Sequence, residues 1–231
     1  MKNKIKVVAF DADDTLWVNE PYFQETERRF CALLEDFLPP HSVSQELLKT
    51  ETDNLRLYGY GIKGFTLCML ETAYRVSDGT AHPRLTDDVI RLGRELLLKP
   101  VELLEGAEEV LDALQGEYRL VLATKGDLLD QERKLKQSGL EGYFHHVEVM
   151  SGKEAADYQK LLKRLDCVPD KFMMVGNSVK SDVLPVLELQ GYAAHVPFHT
   201  TWAHEQHEHT PEHPNLVRLN AIQEIVPYLI R

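Results

Sequence analysis

The chain has 231 residues, 26 Lys and Arg against 37 Asp and Glu, and a formal charge of −11. That balance, with no basic block, argues against nucleic acid and anionic membranes as partners. An apolar fraction of 43% with 27% charged residues describes a folded chain rather than a disordered one. Cys31, Cys68 and Cys167 are odd in number and form no CxxC pair. They point to a reducing compartment without a disulfide framework or zinc cluster. The apolar run after the basic start is cut short by Asp11, and no later stretch approaches eighteen apolar residues. Neither a signal peptide nor a membrane span is expected, and the location expected is cytoplasmic.

Val7 to Phe10 form a short continuous apolar run, as in a strand buried on both faces. From about Asn19 to Lys99 the pattern becomes helical. Phe23, Phe30, Leu34 and Phe37 mark a first helix, and Leu47, Leu48 and Leu55 a second. Phe65, Met69, Ala73 and Val76 mark a third, and Val89, Leu92, Leu96 and Leu97 a fourth. Pro39-Pro40, the glycines at 59, 61 and 64, and Asp78-Gly79 separate them. Apolar runs then return at Leu120–Ala123, Val147–Met150, Phe172–Val175 and Ala193–Val196. Helical patterns lie between them, one with Leu128, Leu129 and Leu135 and one with Tyr158, Leu161, Leu162 and Leu165. Strands alternating with helices imply βαβ units and a mainly parallel sheet. The expected organisation is an α/β core of residues 1–18 and 100–231, interrupted by a helical subdomain of residues 19–99.

Four strand ends carry suitable chemistry. Asp11, Asp13 and Asp14 crowd the exit of the first, where carboxylates repel unless a cation or proton sits among them. Mg²⁺ takes oxygen ligands and needs only one or two carboxylates. Thr124 ends the second strand with a hydroxyl able to hold an anionic oxygen. Lys153 follows the third and brings an ammonium. Gly176-Asn177-Ser178 ends the fourth, with Asp182 just beyond.

This ordered set resembles the haloacid dehalogenase superfamily. Asp11-Ala12-Asp13-Asp14-Thr15 stands for its DxDxT motif, Thr124 for the second motif, Lys153 for the third, and Gly176 to Asp182 for the acidic fourth. Asn177 departs from the pattern, since an aspartate is common there and an amide adds no charge. The resemblance implies a three-layer Rossmann-like core with a mainly parallel sheet, plus an all-helical cap. It further implies a Mg²⁺-dependent phosphomonoester hydrolase acting on a small phosphorylated metabolite. Asp11 would be the nucleophile that forms an aspartyl phosphate, and Asp13 the general acid/base. Asp11, Asp182 and the main-chain carbonyl of Asp13 would hold the metal. Thr124 and Lys153 would hold the phosphoryl group. Thr15, Lys125 and Asn177 are further candidates around the phosphate, Lys125 and Lys171 being rivals of Lys153. A phosphomutase, a 2-haloacid dehalogenase and a non-catalytic protein of the same fold are the alternatives. Asp13 and Asp182 argue against the dehalogenase, which needs no metal.

One segment keeps two readings. Tyr60 and Lys63, in the glycine-rich run from Tyr58 to Phe65, are either substrate-selecting groups of the cap or part of a plain helix–helix turn. His204, His207, His209 and His213 lack the spacing of a zinc site and read as a solvated loop.

Overall fold

A computed structural model describes residues 4–80, 82–207 and 211–230. The chain divides into two compact units. One comprises Met1–Val18, Val101–Lys125 and Gln131–Arg231; the other comprises Asn19–Pro100 and Gly126–Asp130.

The first unit is built on six strands: β1 (Val7–Phe10), β2 (Arg119–Lys125), β3 (His146–Met150), β4 (Phe172–Gly176), β5 (Tyr192–His195) and β6 (Leu216–Arg218). Their order is β3-β2-β1-β4-β5-β6, with every neighbouring pair parallel. The chain therefore leaves β1 for one side of the sheet and later returns to its other side at β4. In such a sheet the crevice at the strands' carboxyl ends, where the order reverses, is the natural ligand position.

Burial on both faces explains the apolar runs of β1, β2 and β4, whereas the edge strand β3 has only Met150 buried. Val8 and Phe10 of β1 pack with Leu120, Leu122, Met173 and Val175 under α5 (Ala107–Leu114) and the C-terminal helix Ile225–Ile230. Val7 and Ala9 face the opposite way, with Val121, Ala123 and Met174, against Tyr158, Leu161 and Leu162 of the helix Ala155–Arg164. The result is a helix–sheet–helix sandwich. One sequence expectation fails within it. The helix α6 (Leu128–Ser138) exists, but Leu128 and Leu129 are 58% and 67% exposed. Its buried residues are Asp130, Gln131, Lys134 and Leu135.

The second unit holds α1 (Glu20–Leu33), α2 (Pro40–Tyr58), α3 (Ile62–Val76) and α4 (Arg84–Leu97) around Phe30, Leu34, Leu47, Met69, Val89, Leu92 and Leu96. Proline opens α2, where its missing N–H costs nothing. Gly59 and Gly61, at φ 71° and 107°, make the turn from α2 to α3 in a backbone region that favours glycine. The apolar pattern assigns Phe37 to the buried face of the first helix. It lies instead beyond the end of α1 and is 41% exposed.

Candidate active site

β1 ends at Phe10, and Asp11 keeps the strand direction by donating its N–H to Val175 O at 2.9 Å. The chain then doubles back. Asp14 adopts φ 61°, a left-handed conformation that Asp tolerates, its N–H reaches Trp17 O at 2.7 Å, and Leu16 N reaches Ala12 O at 2.8 Å. This turn places Thr15 beneath Asp11. The Thr15 Oγ1 proton serves either Asp11 Oδ2 at 3.2 Å or Asn177 Oδ1 at 3.4 Å, while the same oxygen accepts the Asn177 N–H at 3.2 Å. Thr15 thus ties the loop after β1 to the loop after β4.

Lys153 enters from the segment between β3 and α7 (Ala155–Arg164). Asp157, in the first turn of α7, accepts the N–H of Glu154 at 3.3 Å and fixes where that helix begins. The Lys153 side chain is 1% exposed and donates to Asp11 Oδ1 at 2.5 Å and to Asp182 Oδ1 at 2.7 Å. The Ser178 N–H fixes the other Asp182 oxygen at 3.0 Å. Burial would lower the Lys153 pKa, but the two carboxylates outweigh it and hold the ammonium charged. Asp11 shows the other side of the balance. Burial raises its carboxyl, Lys153 opposes this, and repulsion from Asp182 adds to it, leaving Asp11 raised to about 7. Two buried carboxylates share one ammonium, so the set has one negative charge too many.

A divalent cation would relieve that excess, and the donors fit Mg²⁺, which takes hard oxygens such as those of Asp11 and Asp182. Gly176 keeps space beside them, since a Cβ there would lie 2.3 Å from Asp182 Oδ2. Among the described residues no three His, Cys, Asp or Glu side chains form a metal cluster. The Asp13 side chain has donors of its own. Its Oδ1 accepts from Trp17 Nε1 at 2.7 Å and Lys134 Nζ at 2.6 Å, and its Oδ2 from Gln131 Nε2 at 2.8 Å.

The remaining sequence candidates fall differently. Thr124 is buried at the end of β2, its hydroxyl on Lys125 O at 3.2 Å. Lys125 is turned to Glu205 Oε1 at 2.6 Å and Ser181 Oγ at 2.9 Å, and burial lowers its pKa despite the Glu205 charge. Lys171 precedes β4, at the far end of the sheet from Asp11. In the helical unit, Tyr60 is half-buried on the turn before α3, and Lys63 Nζ lies 3.0 Å from each Asp127 carboxylate oxygen.

Glu205 corrects the reading of the histidine-rich segment as a solvated loop. His207 is exposed there and His204 half-buried; His209 lies outside the described residues. Glu205, between them in sequence, is drawn inward and accepts from Ser178 Oγ at 2.7 Å and Ser181 Oγ at 2.6 Å as well as from Lys125. Burial opposes its charge, yet these donors pull its pKa down to about 2. The sequence carries no periodic signal for Glu205. For Gln131 and Lys134 it carries one, a polar pair three residues apart on a helix; the leucines beside them point to the wrong face.

Residues 5–186 match the family described as haloacid dehalogenase-like hydrolase. A human N-acylneuraminate-9-phosphatase is 25% identical over 119 residues, 49% of this chain and 48% of that protein, so the match spans about half of the curated relative. A haloacid dehalogenase-like hydrolase from Xanthomonas campestris is 35% identical, with 97% of this chain and 94% of that one covered at a TM-score of 0.86. The fold is shared at 16% identity by the magnesium-bound HAD-hydrolase YfnB from Bacillus subtilis (98% and 99% covered, TM-score 0.65). It is shared at the same identity by L-2-haloacid dehalogenase from Xanthobacter autotrophicus (96% and 97% covered, TM-score 0.66). Family match and site geometry lead to one conclusion: the chain belongs to the haloacid dehalogenase-like hydrolases.

Proposed function

We propose that the protein is a Mg²⁺-dependent phosphomonoester hydrolase of small phosphorylated metabolites, with Asp11 as nucleophile and Asp13 as acid/base. The observation that carries this reading is the buried group Asp11–Lys153–Asp182 with a second, separately held carboxylate on Asp13. A dehalogenase needs a nucleophilic aspartate but no metal and no acid/base aspartate. The phosphatase named among the relatives supports the same choice.

The chain's own residues then divide the work. An Asp11 carboxylate oxygen attacks phosphorus, the bond from phosphorus to the leaving oxygen breaks, and an aspartyl phosphate forms. The Asp13 carboxyl gives its proton to the leaving oxygen. As a carboxylate it next takes a proton from the water that attacks the aspartyl phosphorus, so inorganic phosphate leaves and Asp11 is restored. Lys153 sets its charge against the negative oxygens of the transferring group, with the Thr124 hydroxyl as a further donor. Asp11, Asp182 and the Asp13 carbonyl would hold Mg²⁺, which would supply electrostatic screening between nucleophile and phosphate. The helical unit of residues 19–99 serves as the cap that chooses the leaving group, and the protein works in the cytoplasm without nucleic acid or membrane.

The test is hydrolysis of p-nitrophenyl phosphate and of a panel of phosphorylated metabolites with Mg²⁺, with EDTA, and in Asp11→Asn. Phosphate release that needs Mg²⁺ and collapses in the variant is expected, because an amide forms no acyl phosphate. Halide release from 2-haloacids without metal, or full phosphatase activity in EDTA, would overturn it.

A further inference from the structure

The Asp13 carboxylate sits in a holder assembled from two different parts of the core. Trp17, four residues on in the same turn, is fully buried and directs its indole N–H to Oδ1 at 2.7 Å. α6 contributes Lys134 Nζ to the same oxygen at 2.6 Å and Gln131 Nε2 to Oδ2 at 2.8 Å. Gln131 Nε2 also reaches Lys125 O at 2.8 Å, which ties the holder to the end of β2. Lys134 is 8% exposed and Gln131 4%, so neither is a solvated surface group that happens to lie close by. A buried ammonium and a buried amide are costly unless they are partnered. Both share one partner, the carboxylate that the proposed reaction requires to be aimed at a leaving oxygen.

We propose that Lys134 and Gln131 are positioning residues for the Asp13 carboxyl, an inference that rests on the acid/base role given to Asp13 above. An aspartate side chain has two soft torsions. A donor pair on one oxygen and a third donor on the other fix both, so the carboxyl keeps a single orientation without the entropy cost of finding it. Lys134 and Gln131 stand three residues apart on one face of α6, so the helix delivers them as a rigid pair. They touch Asp13 and do no chemistry of their own.

The experiment measures single-turnover release of the leaving group from p-nitrophenyl phosphate and from an alkyl phosphate in Lys134→Met, Gln131→Leu and Lys134→Arg, each alone and combined with Asp13→Asn. An alkoxide needs a well-placed proton donor far more than p-nitrophenolate does. Lys134→Met and Gln131→Leu should each lose about tenfold or more on the alkyl phosphate and about threefold or less on p-nitrophenyl phosphate. KM should change little, and Lys134→Arg should recover part of the loss. In the Asp13→Asn background the same substitutions should add no further selectivity between the two substrates. If Asp13→Asn itself loses equally on both, the acid/base reading fails, and this inference with it. If Asp13→Asn discriminates while Lys134→Met and Gln131→Leu lose equally on both substrates, or on neither, the acid/base reading stands and the positioning role is overturned. Should Lys134→Met fail to fold, Gln131→Leu, which leaves the ion pair in place, decides between these outcomes by the same comparison of substrates.

Discussion

The Lys153 ammonium lies 2.5 Å from the Asp11 carboxylate, inside a site where neither group reaches bulk water freely. Asp182, 2.7 Å away on the other side, makes Lys153 the counter-charge of two acids at once. Lys153→Met would leave both carboxylates buried without it. Removing one partner of a buried ion pair costs about 3–5 kcal/mol, and we expect a loss of that order in urea unfolding without metal. Mg²⁺ should then raise the Tm of the variant more than that of the wild type, because the vacated charge balance favours a cation. Activity should fall steeply even where stability is regained, since Lys153 is the ammonium proposed to face the phosphoryl oxygens. An equal Mg²⁺ shift in both proteins would count against this balance of charges.

Glu205 gives a pH-dependent prediction with a defined sign. Its carboxyl is held down to about 2 from 4.5, against burial, by Lys125, Ser181 and Ser178. A carboxylate depressed on folding contributes stability that is complete above its unfolded value and lost as pH falls through its folded one. Glu205→Gln should therefore be less stable than the wild type by about 2–3 kcal/mol at pH 7. The gap should narrow as pH falls from about 4.5 toward 2, where the wild type also loses the charge opposite Lys125. Urea midpoints at pH 7, 5 and 3.5 measure it, and a gap unchanged at pH 3.5 would refute it.

The central strands were legible because parallel strands buried on both faces read as unbroken apolar runs, and Val7–Phe10 and Phe172–Val175 could be little else; the edge strand β6, three residues with only Val217 buried, carries no such run and was missed. The motif residues were legible because Asp11, Thr124, Lys153 and Asp182 all sit at or just past strand ends, where spacing along the chain is fixed by the fold. The holder of Asp13 and the anchor of Lys125 were not. Gln131 and Lys134 are buried against Asp13, and Glu205 is drawn in by Lys125, Ser178 and Ser181; burial by polar pairing leaves no apolar periodicity in the sequence. Leu128 and Leu129 misled for the converse reason, as large apolar residues on an exposed helix face.

The helical unit offers a test of close helix packing. At Gly93 of α4 a Cβ would lie 2.3 Å from Thr66 Oγ1 and 2.9 Å from Thr66 Cγ2 on α3. Thr66 is itself fixed by donating its hydroxyl to Ile62 O at 2.7 Å. Alanine improves helix propensity by about 1 kcal/mol over glycine, but the overlap should cost about 1–3 kcal/mol. Gly93→Ala is expected to be neutral to destabilising by chemical denaturation. A gain near the full propensity value would show that the two helices separate at little cost.

Gly176 connects packing to the proposed metal position. A Cβ there would lie 2.3 Å from Asp182 Oδ2, 2.4 Å from its Cγ and 2.7 Å from its Cβ. Such overlap is cheap when the neighbour is the free end of a flexible side chain. Asp182 is 1% exposed, with Lys153 on Oδ1 and the Ser178 N–H on Oδ2, so it cannot yield without giving up a partner. Gly176→Ala should cost about 1–3 kcal/mol as overpacking and should raise the Mg²⁺ concentration needed for half-maximal activity by roughly tenfold, about 1.4 kcal/mol. Gly191→Ala is the control. Its Cβ would crowd Val186 Cγ1 at 2.8 Å and the main-chain oxygens of Val186 and Pro169 at 3.2 and 3.4 Å, with no carboxylate beside it. It should lose comparable stability with no change in Mg²⁺ dependence. If both variants shift the Mg²⁺ response alike, the effect belongs to general loosening of the core, and Asp182 loses its place as the ligand that Gly176 makes room for.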